Sequence, residues 1–260
     1  MKKHTITVDE LACVGCGACA ADCPANNMKL NLTKASPATQ DCMMCGHCVA
    51  ICPVGAISIS GFAEEPVPVP EDVPVTLDPD ALGRALRFRR SVRKFSHKDV
   101  PRELVERIIE AGRLTPTAVN AQKTAYYVIA DRRAEIEAEA VKLFQKLLPA
   151  AKIVLPAARS MKQIPVNFFF MRAPLAIVVT AKNQVDAGLA AANMMLMAES
   201  QGLAGFFSGF FTMAVNRSGK LKQMLGFRKG EKAVTTLVLG WPSIKYRRSP
   251  QREKAKVRWL

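Results

Sequence analysis

"CVGCGACAADCP" (13–24) sets four cysteines at intervals of three, three and four residues and closes on a proline. The same spacing returns in "CMMCGHCVAICP" (42–53), so Cys13, Cys16, Cys19 and Cys23 are followed 29 positions on by Cys42, Cys45, Cys48 and Cys52. These eight are all the cysteines of the chain. The opening residues, "MKKHTITVDELAC", place Asp9 and Glu10 where a secretory leader requires an apolar run. A cytoplasmic location is therefore expected, where reducing conditions disfavour disulfides and leave thiolates available to metal.

A run of C-x2-C-x2-C-x3-C-P is the ligand pattern of bacterial two-cluster ferredoxins. A cubane offers four iron corners on a small body. One tight loop can serve three of them, and the fourth thiolate must come from elsewhere. The expected sets are Cys13, Cys16, Cys19 and Cys52 for one [4Fe-4S] cluster, and Cys42, Cys45, Cys48 and Cys23 for the other. Zinc sites built from C-x2-C pairs need four ligands each, and these overlapping steps do not divide into such pairs. Gly15, Gly17 and Gly46 suit loops that need positive φ, while Pro24 and Pro53 redirect the chain. Met44 stands where the first run has Gly15, and His47 is expected outside the ligand sets because thiolates fill every corner.

Charge divides the 260 residues into three segments. Residues 1–62 hold four basic and four acidic side chains; residues 63–80 hold six acids and no Lys or Arg. The remaining 33 basic and 12 acidic residues lie in 81–260. The predicted organisation is a two-cluster ferredoxin domain (1–62), an acidic proline-rich linker (63–80) and a second domain (81–260). Prolines at 66, 68, 70, 74 and 79 favour an extended spacer. A basic domain attracts anionic partners, but no nucleic-acid motif accompanies the charge, and nucleic acid is not expected. The most apolar stretch, "VNFFFMRAPLAIVVTAK" (166–182), is interrupted by Arg172 and Pro174 before it is long enough to span a membrane.

Beyond the linker, helix and strand signals alternate. "PRELVERIIEAGR" sets Leu104, Val105, Ile108 and Ile109 on one helical face, and "TAYYVIA" reads as a buried strand. "APLAIVVTAK" and "AVTTLVLGW" are further strands. "VDAGLAAANMMLMAESQG" reads as a helix apolar almost all round, closed by Gly202, in which Met194, Met195 and Met197 pack. The fold class is α+β, a sheet flanked by helices.

Four segments in order, "RRSVRKF" (89–95), "PTAVNAQ" (116–122), "GLAGFFSGF" (202–210) and "LGWPSIKYRRSPQR" (239–252), resemble the FMN-dependent nitroreductase family over residues 84–252. The resemblance implies a small ferredoxin-like domain followed by a nitroreductase-like α+β sandwich in a domain-interlocked homodimer. It implies that Arg89, Arg90 and Arg248 hold the FMN phosphate, a task for bidentate guanidinium groups. Arg247 is the alternative to its neighbour Arg248. By the same resemblance Ser91 and Arg93 reach the ribityl chain and the pyrimidine end of the isoalloxazine, where a cation favours the reduced flavin. Pro116, Thr117, Ala118 and Asn120 line the flavin, partly across the dimer interface. Ser208 and Gly209 match the segment whose backbone faces the reactive edge.

The expected function is an iron-sulfur flavoprotein oxidoreductase. Electrons pass through two [4Fe-4S] clusters to FMN, which reduces a small organic acceptor such as a nitroaromatic or quinone. NAD(P)H or a reduced ferredoxin-type protein is the donor. No side chain reads as a catalytic acid or base. The alternative is an electron-transfer adaptor between a ferredoxin-type donor and a partner enzyme. "KIVLPAARSMKQIPVNFFF" (152–170) is expected to form a variable channel over the flavin, with at least one of Phe168, Phe169 and Phe170 in the core.

Overall fold

The computed structural model describes all residues except 1–3, 39–41, 73 and 155. It divides into two compact units, one of Met1–Leu77 with Ala118–Ala121, the other of Asp78–Thr117 with Gln122–Leu260.

The first unit is a structural duplication that follows the cysteine repeat. Strand β1 (Ile6–Val8), helix α1 (Ala18–Ala21) and strand β2 (Met28–Asn31) are repeated as β3 (Lys34–Pro37), α2 (His47–Ala50) and β4 (Ile57–Ile59). The halves pair with each other, β1 antiparallel to β4 and β2 antiparallel to β3. The two ladders share one register: the pair Ile6 and Ile59 is carried by the repeat onto Ala35 and Leu30, which also pair. The core is small, built on Cys13, Cys19, Met28, Ala35, Cys48, Ala56 and Ile57. A core this small gives a short unit little apolar burial of its own.

Beyond β4 the described residues up to Asp78 form no helix or strand, and Val67 and Val69 are 88% and 74% exposed. The acidic stretch was expected to stay extended through Asp80, but helix α3 (Pro79–Phe88) begins inside it. Asp78 is the N-cap, its Oδ1 accepting the Ala81 N–H at 2.5 Å, and Pro79 takes the first position, where a missing N–H costs nothing.

The second unit is a helix–sheet–helix sandwich. Its elements run α4 (Arg102–Arg113), β5 (Ala125–Ile129), α5 (Arg133–Val154), β6 (Leu175–Thr180), α6 (Gln184–Ser200), β7 (Ala204–Phe207), α7 (Gly209–Arg217), α8 (Gly219–Met224) and β8 (Ala233–Gly240). The antiparallel sheet has the order β5-β6-β8-β7. Strand β6 is buried throughout because both faces are covered. Ile177 and Val179 turn to Val105, Ile108 and Met194 of α4 and α6. Val178 turns to the opposite core, with Ile136 and Ala140 of α5 and Phe211 of α7. Phe169 and Phe170 are 1% exposed in that core.

Two elements differ from the reading of the sequence. Strand β5 is an edge strand with only Ile129 buried, because it has a partner on one side alone. Helix α6 buries Ala187, Ala190, Ala191, Met194, Met195 and Ala198 but leaves Val185 and Leu189 64% and 50% exposed. Among the described residues no helix is long and apolar enough to cross a membrane.

Candidate functional site

Four of the eight thiols come together around one space. Cys13, Cys16, Cys19 and Cys52 line one cavity, with Val54 and Ile57 among its apolar walls. Burial, with the thiolates of Cys42, Cys45 and Cys23 adding to it, pushes the Cys48 thiol up to about 11. Burial likewise raises Cys19, with Cys16 and Cys52 adding to it, whereas N–H groups of Ala35 and Gly15 lower Cys13. Crowded thiolates repel one another unless a cationic body sits among them. Among the described residues no three His, Cys, Asp or Glu side chains converge closely enough to hold a single ion. The donor set of Cys13, Cys16, Cys19 and Cys52 around one cavity is of the soft thiolate kind that suits an iron-sulfur body.

The backbone prepares these loops. Gly17 (φ 75°) and Gly46 (φ 76°) precede α1 and α2 in the left-handed region. Gly15 (φ 68°) has no room for a side chain, since a Cβ would stand 2.1 Å from the Thr33 carbonyl oxygen. Met44 adopts the same left-handed conformation (φ 54°) with a side chain, which it buries. The Asn27, Met44 and Ala56 N–H groups donate to Cys23, Cys42 and Cys52 Sγ at 3.1, 3.3 and 3.3 Å. His47 Nδ1 lies 3.2 Å from Asp22 Oδ2.

In the second unit, Ser91 and Val92 run beside β7, and Lys94 to Ser96 run beside Trp241 to Ser243. Ser91 makes a parallel bridge to Gly205, whose carbonyl accepts the Val92 N–H at 3.0 Å. A Cβ on Gly205 would meet the Val238 carbonyl oxygen at 2.3 Å, so the close approach of these strands requires glycine. Arg89 Nη1 is buried with no hydrogen-bond partner among the described residues. Such an orphaned guanidinium donor fits an anionic group such as a phosphate. Near Arg89, burial pushes the Glu199 carboxyl up to about 7 while the guanidinium pulls the other way. Arg90 Cζ stands 5.0 Å over the Tyr246 ring, and Arg93 Cζ 5.3 Å over Phe206. Arg247 and Arg248 are both exposed, so burial does not choose between them.

The other candidates are placed unevenly. Pro116 and Thr117 belong to the second unit, with Thr117 Oγ1 accepting the Gln122 N–H at 2.9 Å, whereas Ala118 and Asn120 group with the first. There Asn120 Nδ2 donates to the Met44 carbonyl at 2.5 Å. Ser208 is already engaged: its N–H donates to the Thr236 carbonyl and its hydroxyl to the Phe169 carbonyl. Gly209 opens α7 with open space where a Cβ would be.

A groove of about 490 Å³ runs between Arg93 and the segment 163–172, lined also by Gln163, Asn167, Met171 and Arg172. Of the stretch 152–170, Gln163, Pro165, Val166 and Asn167 line this groove, while Phe169 and Phe170 lie in the core. Reading the sequence missed Glu137, Arg172 and Tyr246. Glu137 is a buried carboxylate whose Oε1 accepts the Phe169 and Phe170 N–H groups at 2.9 and 2.8 Å. A charged residue mid-helix gives no such signal, and Arg172 reads only as an interruption of an apolar run.

Residues 86–241 match the model of the family described as "Nitroreductase family", and residues 5–53 that of the "4Fe-4S dicluster domain". A protein of Methanothermobacter thermautotrophicus with the provisional name NADH dehydrogenase/NAD(P)H nitroreductase is 23% identical over 61% of this chain and 76% of its own. The iodotyrosine deiodinase of Hydra vulgaris is 23% identical over 61% of this chain and 64% of its own. Among solved structures, a nitroreductase with bound FMN from Desulfitobacterium hafniense aligns with a TM-score of 0.59 at 23% identity, covering 71% of this chain and 100% of that one. One with bound FMN from Bacteroides fragilis aligns at 0.57 and 19% identity, covering 69% and 97%. The fold of the second unit is that of these proteins.

Proposed function

Because the chain belongs to the nitroreductase family of oxidoreductases and carries a 4Fe-4S dicluster domain ahead of that domain, we propose that it reduces a small, flat, electron-poor organic acceptor at a bound FMN. Two [4Fe-4S] clusters held by residues 1–62 supply the electrons, the acidic stretch 63–80 is the linker, and residues 81–260 form the flavin domain. Bound iron-sulfur clusters move single electrons and a flavin accepts one or two, so the pair converts one-electron input into two-electron reduction. A nitro group taking two electrons and two protons, for example, leaves as a nitroso group and water. NAD(P)H or a reduced ferredoxin-type protein is the donor. The working protein is a cytoplasmic homodimer.

The observation that carries this reading is the cavity in which Cys52 of the second run joins Cys13, Cys16 and Cys19 of the first. Cys13, Cys16, Cys19 and Cys52 hold one cluster; Cys42, Cys45, Cys48 and Cys23 hold the other. Arg89 and Arg90, with Arg248, hold the flavin phosphate, and the unpaired Arg89 nitrogen supports this role. Ser91 and Arg93 serve the ribityl chain and pyrimidine end. Pro116, Thr117, Ala118 and Asn120 line the ring, and the Ser208–Gly209 segment faces its reactive edge. Their work is to bind, orient and exclude water. The open groove beside Arg93 favours a small acceptor over a relay to a partner enzyme.

Anaerobic purification with iron, sulfide and FMN quantified, followed by stopped-flow reduction with NADH, NADPH and reduced ferredoxin, tests the reading. About eight irons and one FMN per chain are expected. Iron well below that number, or no flavin, refutes it.

A further inference from the structure

Met171 and Arg172 are consecutive non-glycine residues in the left-handed region, at φ 50° and 63°. Neither has a side chain that favours this conformation, and such strain persists only where surrounding structure enforces it. Here the enforcement is visible. The buried Glu137 carboxylate accepts the N–H groups of Phe169 and Phe170, the Met171 N–H donates to the Asn167 carbonyl at 3.1 Å, and the Ala173 N–H donates to the Phe170 carbonyl at 2.9 Å. Phe169, Phe170 and Ala173 are each 1% exposed, which locks the turn from both sides.

The turn sets the exposed Arg172 on the wall of the groove that Arg93 also lines. Arg93 is partly committed, to the Ser91 carbonyl and the Phe206 ring. Gln163 and Asn167 add carboxamides, and among the described residues no acid lines this groove. Glu137, in the adjoining cavity that Arg172 shares with Arg133, is buried, and its Oε1 accepts two N–H groups. At about 490 Å³ the groove lies in the range of small-molecule sites.

We propose that Arg172 is a specificity-determining residue, and that the acceptor is an aromatic compound bearing a carboxylate, which Arg172 receives with Gln163 and Asn167. The inference rests on the reading of a flavin beside Arg93. A planar guanidinium accepts a carboxylate through two parallel N–H bonds, a geometry that neutral isosteres cannot use.

The test uses the flavin-replete, full-length protein and its Arg172→Gln and Arg172→Lys variants. Initial rates with 4-nitrobenzoate and with its neutral isostere 4-nitrotoluene give a specificity ratio for each protein, and calorimetric titration with benzoate, which is not reduced, gives affinity independent of turnover. The expected result is a wild-type preference for 4-nitrobenzoate and a fall in the ratio of about tenfold or more in Arg172→Gln, carried by KM, matching the weight of a charge-assisted pair. Benzoate affinity falls in parallel, and Arg172→Lys recovers part of both. An unchanged ratio with unchanged benzoate affinity overturns the inference, as does a selective rise in KM for NADPH. If neither nitro compound is turned over, the proposed function fails, and the benzoate titration still decides whether Arg172 receives a carboxylate.

Discussion

Gly15 and Gly46 offer a controlled comparison within the cluster loops. Both are left-handed, at φ 68° and 76°, so replacing either by alanine imposes the same backbone cost of about 1 kcal/mol. They differ in space. A Cβ on Gly46 meets nothing within 4 Å, whereas a Cβ on Gly15 stands 2.1 Å from the Thr33 carbonyl oxygen and 2.9 Å from its carbon. Both are backbone atoms of the turn between β2 and β3, and they cannot swing aside as a side chain can. The overpacking adds about 1–3 kcal/mol, for a total near 2–4 kcal/mol in Gly15→Ala against about 1 in Gly46→Ala. At a urea m-value of about 2 kcal/mol/M, Gly15→Ala moves the midpoint down by about 1–2 M and Gly46→Ala by about 0.5 M. Anaerobic urea titration, followed by the visible absorption of the clusters, measures both. Equal midpoints in the two variants refute the argument, since they would mean that the Thr33 turn yields freely.

Other outcomes follow from the same geometry. Cys52→Ser and Cys23→Ser each lower iron from about eight to about four per chain, with the electron paramagnetic resonance signal of one cluster kept in each variant and a different one lost; losing both clusters in both variants contradicts the cross-run assignment. Arg89→Gln weakens FMN about tenfold or more, as loss of a charged hydrogen bond does, and flavin fluorescence on dilution reads it. The raised Glu199 carboxyl predicts a pH dependence. The folded chain keeps this proton between the ordinary carboxylate range and about pH 7, where the unfolded chain has lost it, so the stabilisation is present at low pH and lost as pH rises through 7. Urea midpoints at about pH 5 and about pH 8 detect the loss; Glu199→Gln lessens the slope, and an equal slope in the variant contradicts the assignment. Glu137→Ala strands two buried N–H groups at about 1–3 kcal/mol each and releases the strained turn, which thermal unfolding measures.

The first unit was legible because its chemistry is local. Cysteine spacing dictates which thiols share a loop, and the 29-residue offset reappears in the strand register, where Ile6–Ile59 and Leu30–Ala35 are equivalent pairs. The sandwich was legible where burial is uniform, as in "APLAIVVTAK", whose strand is covered on both faces. It was less so at β5, since an apolar run does not reveal whether a strand has one neighbour or two. Arg89 to Arg93 came from a motif, whereas Arg172 and Glu137 act through tertiary geometry. Nothing in "FFFMRAP" announces two left-handed residues, and nothing in α5 marks the one carboxylate that turns inward.

The central claim is that two kinds of redox centre serve one acceptor from one polypeptide, and electron counting tests it most directly. The anaerobic protein is reduced fully, freed of excess reductant and mixed with a saturating nitroaromatic in a single turnover, while the visible bands of flavin and clusters are followed together. The account predicts about four electrons delivered per chain, two from the flavin and one from each cluster, with cluster and flavin bands recovering in linked phases. Delivery of two electrons, with the clusters left reduced beside an oxidised flavin, contradicts it.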